Sequence, residues 1–420
     1  MGSFFEGIPE APADAILGIS QAFKADTHPD ALNLGVGAYR TEEGAPLVLE
    51  CVREAEKRLV SDLKRDKEYQ PQLGNATFAS LAASLALGES AAAVREGRVS
   101  SAQTLSGTGA LRLGGELLAR RYAAGPRRIA VPSPTWAAHH GVFLSAGLEV
   151  GTYRYYDAST KGLDYAGLLE DVAALPRGSI LLLHACAHNP TGVDPSPEQW
   201  RGILEAVRAA GVLPFFDMAY QGFASGDLDR DAAAVRLFEA AGVEFLLAQS
   251  FAKNMGLYGE RVGALHVVVA PGGDSAARLS AVTSQLKAIA RALYSSPPIH
   301  GAAIAQLVLS DPVLLALWKR ELAAMAQRIL RMRKVLFDEL SQLGTPGSWN
   351  HILDQIGMFS FTGLSRHQVA ECLTKKHHVY MTLNGRISMA GLSERTAPHL
   401  ARAIDDAVRN YADQTATNKL

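Results

Sequence analysis

The sequence predicts an α/β protein, with a large domain built on a mostly parallel sheet between helices and a smaller α+β domain. Three observations carry that expectation. From about residue 100 to 265, short apolar runs alternate with segments of helical period, the pattern of parallel strands joined by crossover helices. The stretch Asp311 to Leu340 repeats apolar residues at spacings of three and four over many turns, a long amphipathic helix that links two lobes. At 420 residues the chain is too long for one simple core.

In chain order, residues 1–45 have no independent core and are expected to pack on the small lobe or on a partner. Residues 46–318 form the expected large domain and 319–420 the small one. Within the large domain, "RRIAVPSPTW", "GSILLLHACAHNPTG", "GVLPFFDMAYQGF" and "FLLAQSFAKN" are apolar runs ending in polar clusters. Ligands of open parallel sheets sit at the carboxyl ends of the strands. Those four ends would gather Trp136, Asn189, Asp217 with Tyr220, and Ser250 with Lys253. In the small domain, "GMFSFTGL" and "NGRISMAGL" read as strands around a charged helical stretch.

Composition narrows the partners. Lys plus Arg (41) nearly balance Asp plus Glu (42), so no basic face for nucleic acid or anionic membrane is implied. A small ligand set fits better. No apolar run approaches the roughly 18 residues of a membrane helix. Cys51, Cys186 and Cys372 are few, odd in number and widely spaced, which suits a reducing compartment and a cytoplasmic protein. The N-terminus lacks the features of a signal or transit peptide, and Glu6 stands where myristoylation wants Ser or Thr. The terminal Asn-Lys-Leu lacks the small first residue of a peroxisomal address. His184 and His188 stand four apart in "HACAH"; in an extended strand that spacing is about 13 Å, so no metal is expected.

The chemistry-bearing residues form a consistent set. "SGTGALRLGGELLARR" opens with glycines and is expected to become helical at about Ala110. Bare amides there, with the Ser106 and Thr108 hydroxyls, make a phosphate cradle. Arg112 breaks the dinucleotide pattern G-x-G-x-x-G, which disfavours a nicotinamide-dependent dehydrogenase. Asp217 ends a hydrophobic strand, where its carboxylate either caps a loop or holds a protonated ring nitrogen. Lys253 at a strand end either snorkels to solvent or, buried beside cations, loses its proton and attacks a carbonyl as an amine. A cofactor with an aldehyde, a phosphate and a ring nitrogen would use Lys253, the helix start with Arg261, and Asp217 together: pyridoxal 5'-phosphate. Trp136 could stack on its ring and Asn189 with Tyr220 bind its oxygen. Each of these alone is also ordinary core or turn sequence.

Long motifs in order add a resemblance. "LNLGVGAYR", "SGTGALR", "PSPTWAAH", "HACAHNPTGVDPSPEQW", "SFAKNMGLYGERVG", "GMFSFTGL" and "NGRISMAGL" together resemble the aspartate aminotransferase family of class I pyridoxal-phosphate enzymes across essentially the whole chain. The resemblance implies the fold-type I architecture of those transferases. It also implies roles. Lys253 would bond the cofactor aldehyde and move the proton between the substrate Cα and the cofactor. Asp217, supported by His139, would keep the ring nitrogen protonated. Tyr220 and Asn189 would hold the ring oxygen, and Trp136 would stack on the ring. Ser106, Gly107, Thr108, Ser250 and Arg261 would bind the phosphate, with Tyr69 reaching it from the neighbouring subunit of a homodimer.

Two arginines would select the substrate. Arg386, with Gly37 and Asn189 nearby, matches the residue that grips the α-carboxylate, and Arg291 matches the one offered by the other subunit to a distal carboxylate. Such charge-assisted hydrogen bonds are worth roughly 1.5–3 kcal/mol each. The implied reaction is a ping-pong transfer from L-aspartate to 2-oxoglutarate, giving oxaloacetate and L-glutamate. Ala252 and Ser296 depart from the pattern: many relatives have serine at the first, and aspartate-specific ones commonly have asparagine at the second. Ser296 leaves open a broad enzyme that also takes aromatic amino acids. A non-catalytic pyridoxal-phosphate-binding regulator would be expected to have lost Lys253, Asp217 or Arg386, and all three are present.

Overall fold

Seven strands form the central sheet of the computed structural model: β1 Val99–Leu105, β2 Arg128–Ser133, β3 Glu149–Arg154, β4 Ile180–His184, β5 Leu213–Met218, β6 Phe245–Ser250 and β7 Val262–Val268. The structure describes residues 3–11 and 15–411. The expectations about the first two residues and about the terminal Asn418-Lys419-Leu420 lie outside them.

The strand order is β1-β7-β6-β5-β4-β2-β3. Only β7 runs antiparallel to its neighbours, β1 and β6; the remaining pairs are parallel. The reason is the connection. A crossover helix joins most consecutive strands, but the loop from Phe251 to Arg261 has none and returns the chain directly beside β6. That loop carries Lys253. Strands β4, β6 and β7 are buried at every residue, as strands covered on both faces are.

Register brings the two halves of a site together. Ser250 pairs with Gly263 and Leu105 with Val262, which sets Ser106 beside Ser250. Glycine is required at 263: a Cβ there would stand 2.6 Å from the Ser106 carbonyl carbon and 2.5 Å from the Gln249 carbonyl oxygen.

Three helices matter for the site. Helix α1, Ser106–Arg121, follows β1 with no intervening loop. The expected start near Ala110 is four residues late, because Ser106 itself makes the turn at φ 62°. Helix α2, Pro312–Gln342, is capped by the Asp311 carboxylate, which accepts from the Val313 and Leu314 amides at 2.8 and 3.0 Å. It buries Trp318, Leu322, Met325, Ile329 and Leu336 at helical spacing. Helix α3, Ala397–Asn410, packs on it.

The remaining C-terminal pieces are short. Phe359–Phe361 pairs antiparallel with Arg386–Ser388. Leu32–Asn33 lies parallel to Val379–Tyr380, which sews the N-terminal segment to the C-terminal part. The charged stretch between Phe359–Phe361 and Arg386–Ser388 is helical as expected, but as a seven-residue π-helix, Gln368–Thr374, with bonds five residues back such as Lys375 N to Ala370 O. Among the described residues no single helix is long and apolar enough to cross a membrane.

Candidate active site

A cavity opens at the carboxyl ends of β4, β5 and β6 and the start of α1. It is lined by Gly37, Ser106, Gly107, Thr108, Trp136, Asn189, Asp217, Tyr220, Ser250, Lys253, Arg261 and Arg386. Residues as far apart in sequence as 37 and 386 therefore share one wall.

One end of the cavity is built for an anion. The first-turn amides of α1 have no partners within the helix. The Ser106 and Ser250 hydroxyls stand 2.8 Å apart, and Ser250 Oγ also accepts from the Ala252 amide at 3.2 Å. Arg261, at φ 53°, spends one NH on the Tyr258 carbonyl at 3.1 Å and leaves the rest of its guanidinium exposed. Hydroxyls, amides and a guanidinium line that end together.

Lys253 stands in the middle. It is half-buried, and its ammonium lies 5.2 Å from the Tyr220 ring centroid with no hydrogen bond among the described residues. Burial pushes it below the ordinary lysine value; Asp217 opposes that and Arg261 adds to it. The next residue fixes the loop. Asn254 O accepts from Trp318 Nε1 of α2 at 2.7 Å, and Asn254 Nδ2 donates to Gln221 O at 3.1 Å.

At the opposite end, Asp217 Oδ2 is 3.1 Å from His139 Nε2. Burial raises the carboxyl, but the His139 hydrogen bond and the positive charges around it outweigh burial, so Asp217 sits below the usual carboxylate value. Behind it, Thr135 Oγ1 lies 2.7 Å from His139 Nδ1 and 3.2 Å from His184 Nε2. His184 Nδ1 accepts from the Asn189 amide at 3.4 Å. Burial pushes His184 down to about 3, so it is neutral near pH 7.

Arg386 closes the third side and is 5% exposed. Its NH2 donates to Gly35 O at 2.8 Å and its NH1 to Asn189 Oδ1 at 3.4 Å, while Nε has no partner among the described residues. The guanidinium carbon lies 4.1 Å from the Phe359 ring centroid.

The cavity brings together every expected site residue except three. His139 stands behind Asp217 and touches it. Tyr69 is 86% exposed and Arg291 is also on the surface, both outside this chain's own cavity. Sequence reasoning missed Thr135, His184 and Phe359. His184 pairs in register with Asp217 across β4 and β5, and a polar residue closing the run Ile180–Leu183 was the available signal.

His184 and His188 do not stand a strand's length apart, contrary to the expectation from their spacing. Strand β4 ends at His184, and the half-buried Asp194 carboxylate turns the chain by accepting from the Ala187 and His188 amides at 2.6 and 2.8 Å. The two rings are consequently 4.3 Å apart, not the length of a strand. His184 uses both nitrogens, on Thr135 and the Asn189 amide, and His188 Nδ1 faces Thr191 Oγ1, while His188 Nε2 has no partner among the described residues.

Comparison with known proteins identifies the family of the chain. Residues 29–404 match the family "Aminotransferase class I and II". The chain is similar to aspartate aminotransferase 1 of Medicago sativa, at 57% identity over 410 residues covering 98% of this chain and 96% of that one. Among solved structures it is similar to the aspartate aminotransferase of Saccharomyces cerevisiae cytoplasm, with TM-score 0.94 and 43% identity, covering 97% of this chain and 99% of that one. It is also similar to an aromatic-amino-acid aminotransferase from Burkholderia pseudomallei covalently bound to pyridoxal phosphate. There the TM-score is 0.92 and the identity 42%, covering 97% of this chain and 100% of that one.

Proposed function

The chain belongs to the class I and II aminotransferases, and from that premise we propose that it is a pyridoxal-phosphate-dependent aspartate aminotransferase that moves the amino group of L-aspartate to 2-oxoglutarate. The observation that carries the reading is the single cavity in which Lys253, Asp217, an anion cradle and Arg386 face one another.

The residues fit the cofactor by their donor set. Ser106, Ser250, Arg261 and the amides of Gly107 and Thr108 would hold its phosphate, and Asp217 its ring nitrogen. Lys253 Nζ, unused in any hydrogen bond among the described residues, is free for its aldehyde. When bound, pyridoxal phosphate supplies the carbonyl that takes up the amino group and a ring that withdraws electrons from the substrate Cα.

The chain's own residues do the rest. Burial pushes Lys253 below the ordinary lysine value, the direction an amine needs if its Nζ is to take the proton from the substrate Cα and return it. Asp217, held below the usual carboxylate value, stays anionic and keeps a proton on the atom it faces. Arg386 presents a guanidinium whose Nε is unpaired among the described residues and whose plane is fixed by Gly35, Asn189 and Phe359, which suits a bidentate carboxylate. Trp136 forms an aromatic wall of the cavity, and the buried Tyr220 hydroxyl, pushed well up by burial, stays a proton donor.

A homodimer completes the site in this reading. Tyr69 and Arg291 would act in the neighbour's cavity, Tyr69 on the phosphate and Arg291 on the distal carboxylate. Their exposure supports this, as do Phe4, Phe5 and Leu63, which are 99%, 77% and 96% exposed and leave a large apolar area to cover. A cytoplasmic location is supported by three free, buried cysteines and by the likeness to the yeast cytoplasmic enzyme. Ser296 and the likeness to the Burkholderia enzyme favour a second reading, in which aromatic amino acids are also donors.

The deciding measurement is the near-ultraviolet and visible spectrum of the purified protein before and after aspartate, and separately phenylalanine, with no oxo acid present. A cofactor band that shifts with aspartate alone supports the dicarboxylate enzyme. Equally fast shifts with both support the broad one. No band after reconstitution with pyridoxal phosphate overturns both.

A further inference from the structure

Arg333, in the middle of α2, is 1% exposed and has no carboxylate partner among the described residues. Its NH1 donates to Ile352 O at 3.0 Å, and its NH2 to Gly357 O at 2.8 Å and Phe359 O at 2.5 Å; its Nε has no partner among the described residues. Burial without a counter-ion pushes it down to about 9. An unpaired buried cation is costly, and apolar residues fill the neighbouring core positions Met332 and Leu336. Simple core filling does not account for it.

What the guanidinium holds leads to the cavity. All three carbonyls belong to one segment, Ile352 to Phe359, and the last is that of Phe359 itself. The Phe359 ring lies 4.1 Å from the Arg386 guanidinium carbon and meets the Tyr220 ring edge-on at 6.3 Å. A Cβ on Gly37 would stand 3.0 Å from Phe359 Cζ. The segment is pinned from the other side as well: Ile356 N donates to Gly192 O at 2.8 Å and Met389 N to Met358 O at 2.8 Å. Gly192, at φ 69°, leaves no room for movement, since a Cβ there would be 2.9 Å from Phe359 O.

We propose that Arg333 is a positioning residue for substrate carboxylate binding: it clamps the carbonyls of Ile352, Gly357 and Phe359, so that the Phe359 ring fixes the plane of the Arg386 guanidinium. This rests on the assignment of Arg386 to the α-carboxylate given above. Three separated acceptors require the rigid fork of an arginine, which an ammonium cannot reproduce. Both half-reactions bind a carboxylate at Arg386, so both substrates depend on the clamp.

The test compares steady-state kinetics of holoenzymes carrying Arg333→Met, Arg333→Lys, Phe359→Leu, the Arg333→Met/Phe359→Leu pair and Arg386→Lys. Arg333→Met is expected to raise KM for aspartate and for 2-oxoglutarate roughly tenfold, with kcat and cofactor absorbance within about twofold, the pattern of lost uniform binding. Arg333→Lys should recover part of the loss. In the Phe359→Leu background, Arg333→Met should add less than about twofold, since both act through one ring. Unchanged KM in the folded Met variant, full additivity in the pair, or a joint fall of KM affinity, kcat and cofactor occupancy overturns the proposal. If the Met variant yields no folded holoenzyme, the Lys and Phe359→Leu variants decide by the same rise in KM. Arg386→Lys separates the two layers. If it leaves KM unchanged, the assignment of Arg386 has failed; if it raises KM while the Arg333 variants do not, only the clamp has.

Discussion

His139 Nε2 donates to Asp217 Oδ2 across 3.1 Å, and the direction of that bond is set by the residues behind it. A backbone amide can only donate, so His184 Nδ1 must accept from Asn189 N. Neutral His184 then carries its proton on Nε2, which donates to Thr135 Oγ1. The Thr135 hydroxyl proton is left to point at His139 Nδ1, and His139 presents the N–H on Nε2 to the Asp217 carboxylate, which can only accept. Each member has one consistent role.

Breaking the chain at Thr135 tests this directly. Thr135→Val keeps the side-chain shape but removes the hydroxyl, so His139 can adopt the tautomer that no longer donates to Asp217. The expected loss in kcat is roughly tenfold, the worth of about one buried hydrogen bond. Asp217→Asn, which removes the charge itself, should cost about one to two orders of magnitude more. Equal activity of the Thr135→Val variant and the parent would show that the relay does not orient His139.

Lys253→Ala removes the amine and leaves the anion cradle. Turnover is expected to fall by at least roughly 10²–10⁴ from the loss of its acid-base role alone, while equilibrium dialysis still detects bound pyridoxal phosphate through Ser106, Ser250 and Arg261. Substantial remaining transamination would sink the assignment of Lys253.

Arg386 and Arg291 should separate in their selectivity. Replacing Arg386 with Leu removes charge-assisted bonds to a group that every amino acid carries, so kcat/KM falls for aspartate and phenylalanine alike. Arg291→Leu should lower kcat/KM for aspartate by about one to two orders of magnitude and spare phenylalanine, which has no distal carboxylate. Since Arg291 lies outside its own chain's cavity, mixing inactive Lys253→Ala chains with Arg291→Leu chains should form hybrids with one cavity restored to full aspartate selectivity. If no aspartate activity returns on mixing, Arg291 does not serve a neighbour.

The parts of this site that were legible in the sequence are those placed by strand periodicity. Asp217, Lys253 and Asn189 follow apolar runs, and a parallel sheet delivers such ends to one edge whatever the loops do. The antiparallel turn of β7 was not legible, because periodicity does not report strand direction; only the lack of a helix between Ser250 and Val262 does. The 4.3 Å approach of His184 and His188 was hidden for a related reason. It depends on where β4 stops, and that is set by the Asp194 carboxylate ten residues after His184 reaching back to two amides. Arg333 was lost inside an amphipathic pattern, where an arginine reads as a solvent-facing position. Its burial becomes visible only once the carbonyls of Ile352, Gly357 and Phe359 are brought to it.

Acid stability provides a test away from the cavity. His266 on β7 is fully buried, with Nδ1 2.8 Å from Ser101 Oγ and Nε2 2.9 Å from Gln249 Oε1, and burial pushes it down to about 3. Its unfolded value is the ordinary 6.5. Between those two values the unfolded chain binds a proton that the folded chain refuses, so stability is fully present above pH 6.5 and is lost as pH falls toward 3. The slope is about 1.4 kcal/mol per pH unit for one such group. His184 acts in the same direction, whereas Asp194, raised by burial to about 6, opposes them by taking a proton more readily when folded. Urea unfolding of the wild type between pH 7 and 4.5 should therefore show a falling midpoint. His266→Gln, which can still bond Ser101 and Gln249 but cannot titrate, should be less stable at pH 7 yet lose stability more slowly on acidification, by roughly one proton's slope. Parallel pH profiles for the two proteins would mean that His266 is protonated in the folded state after all.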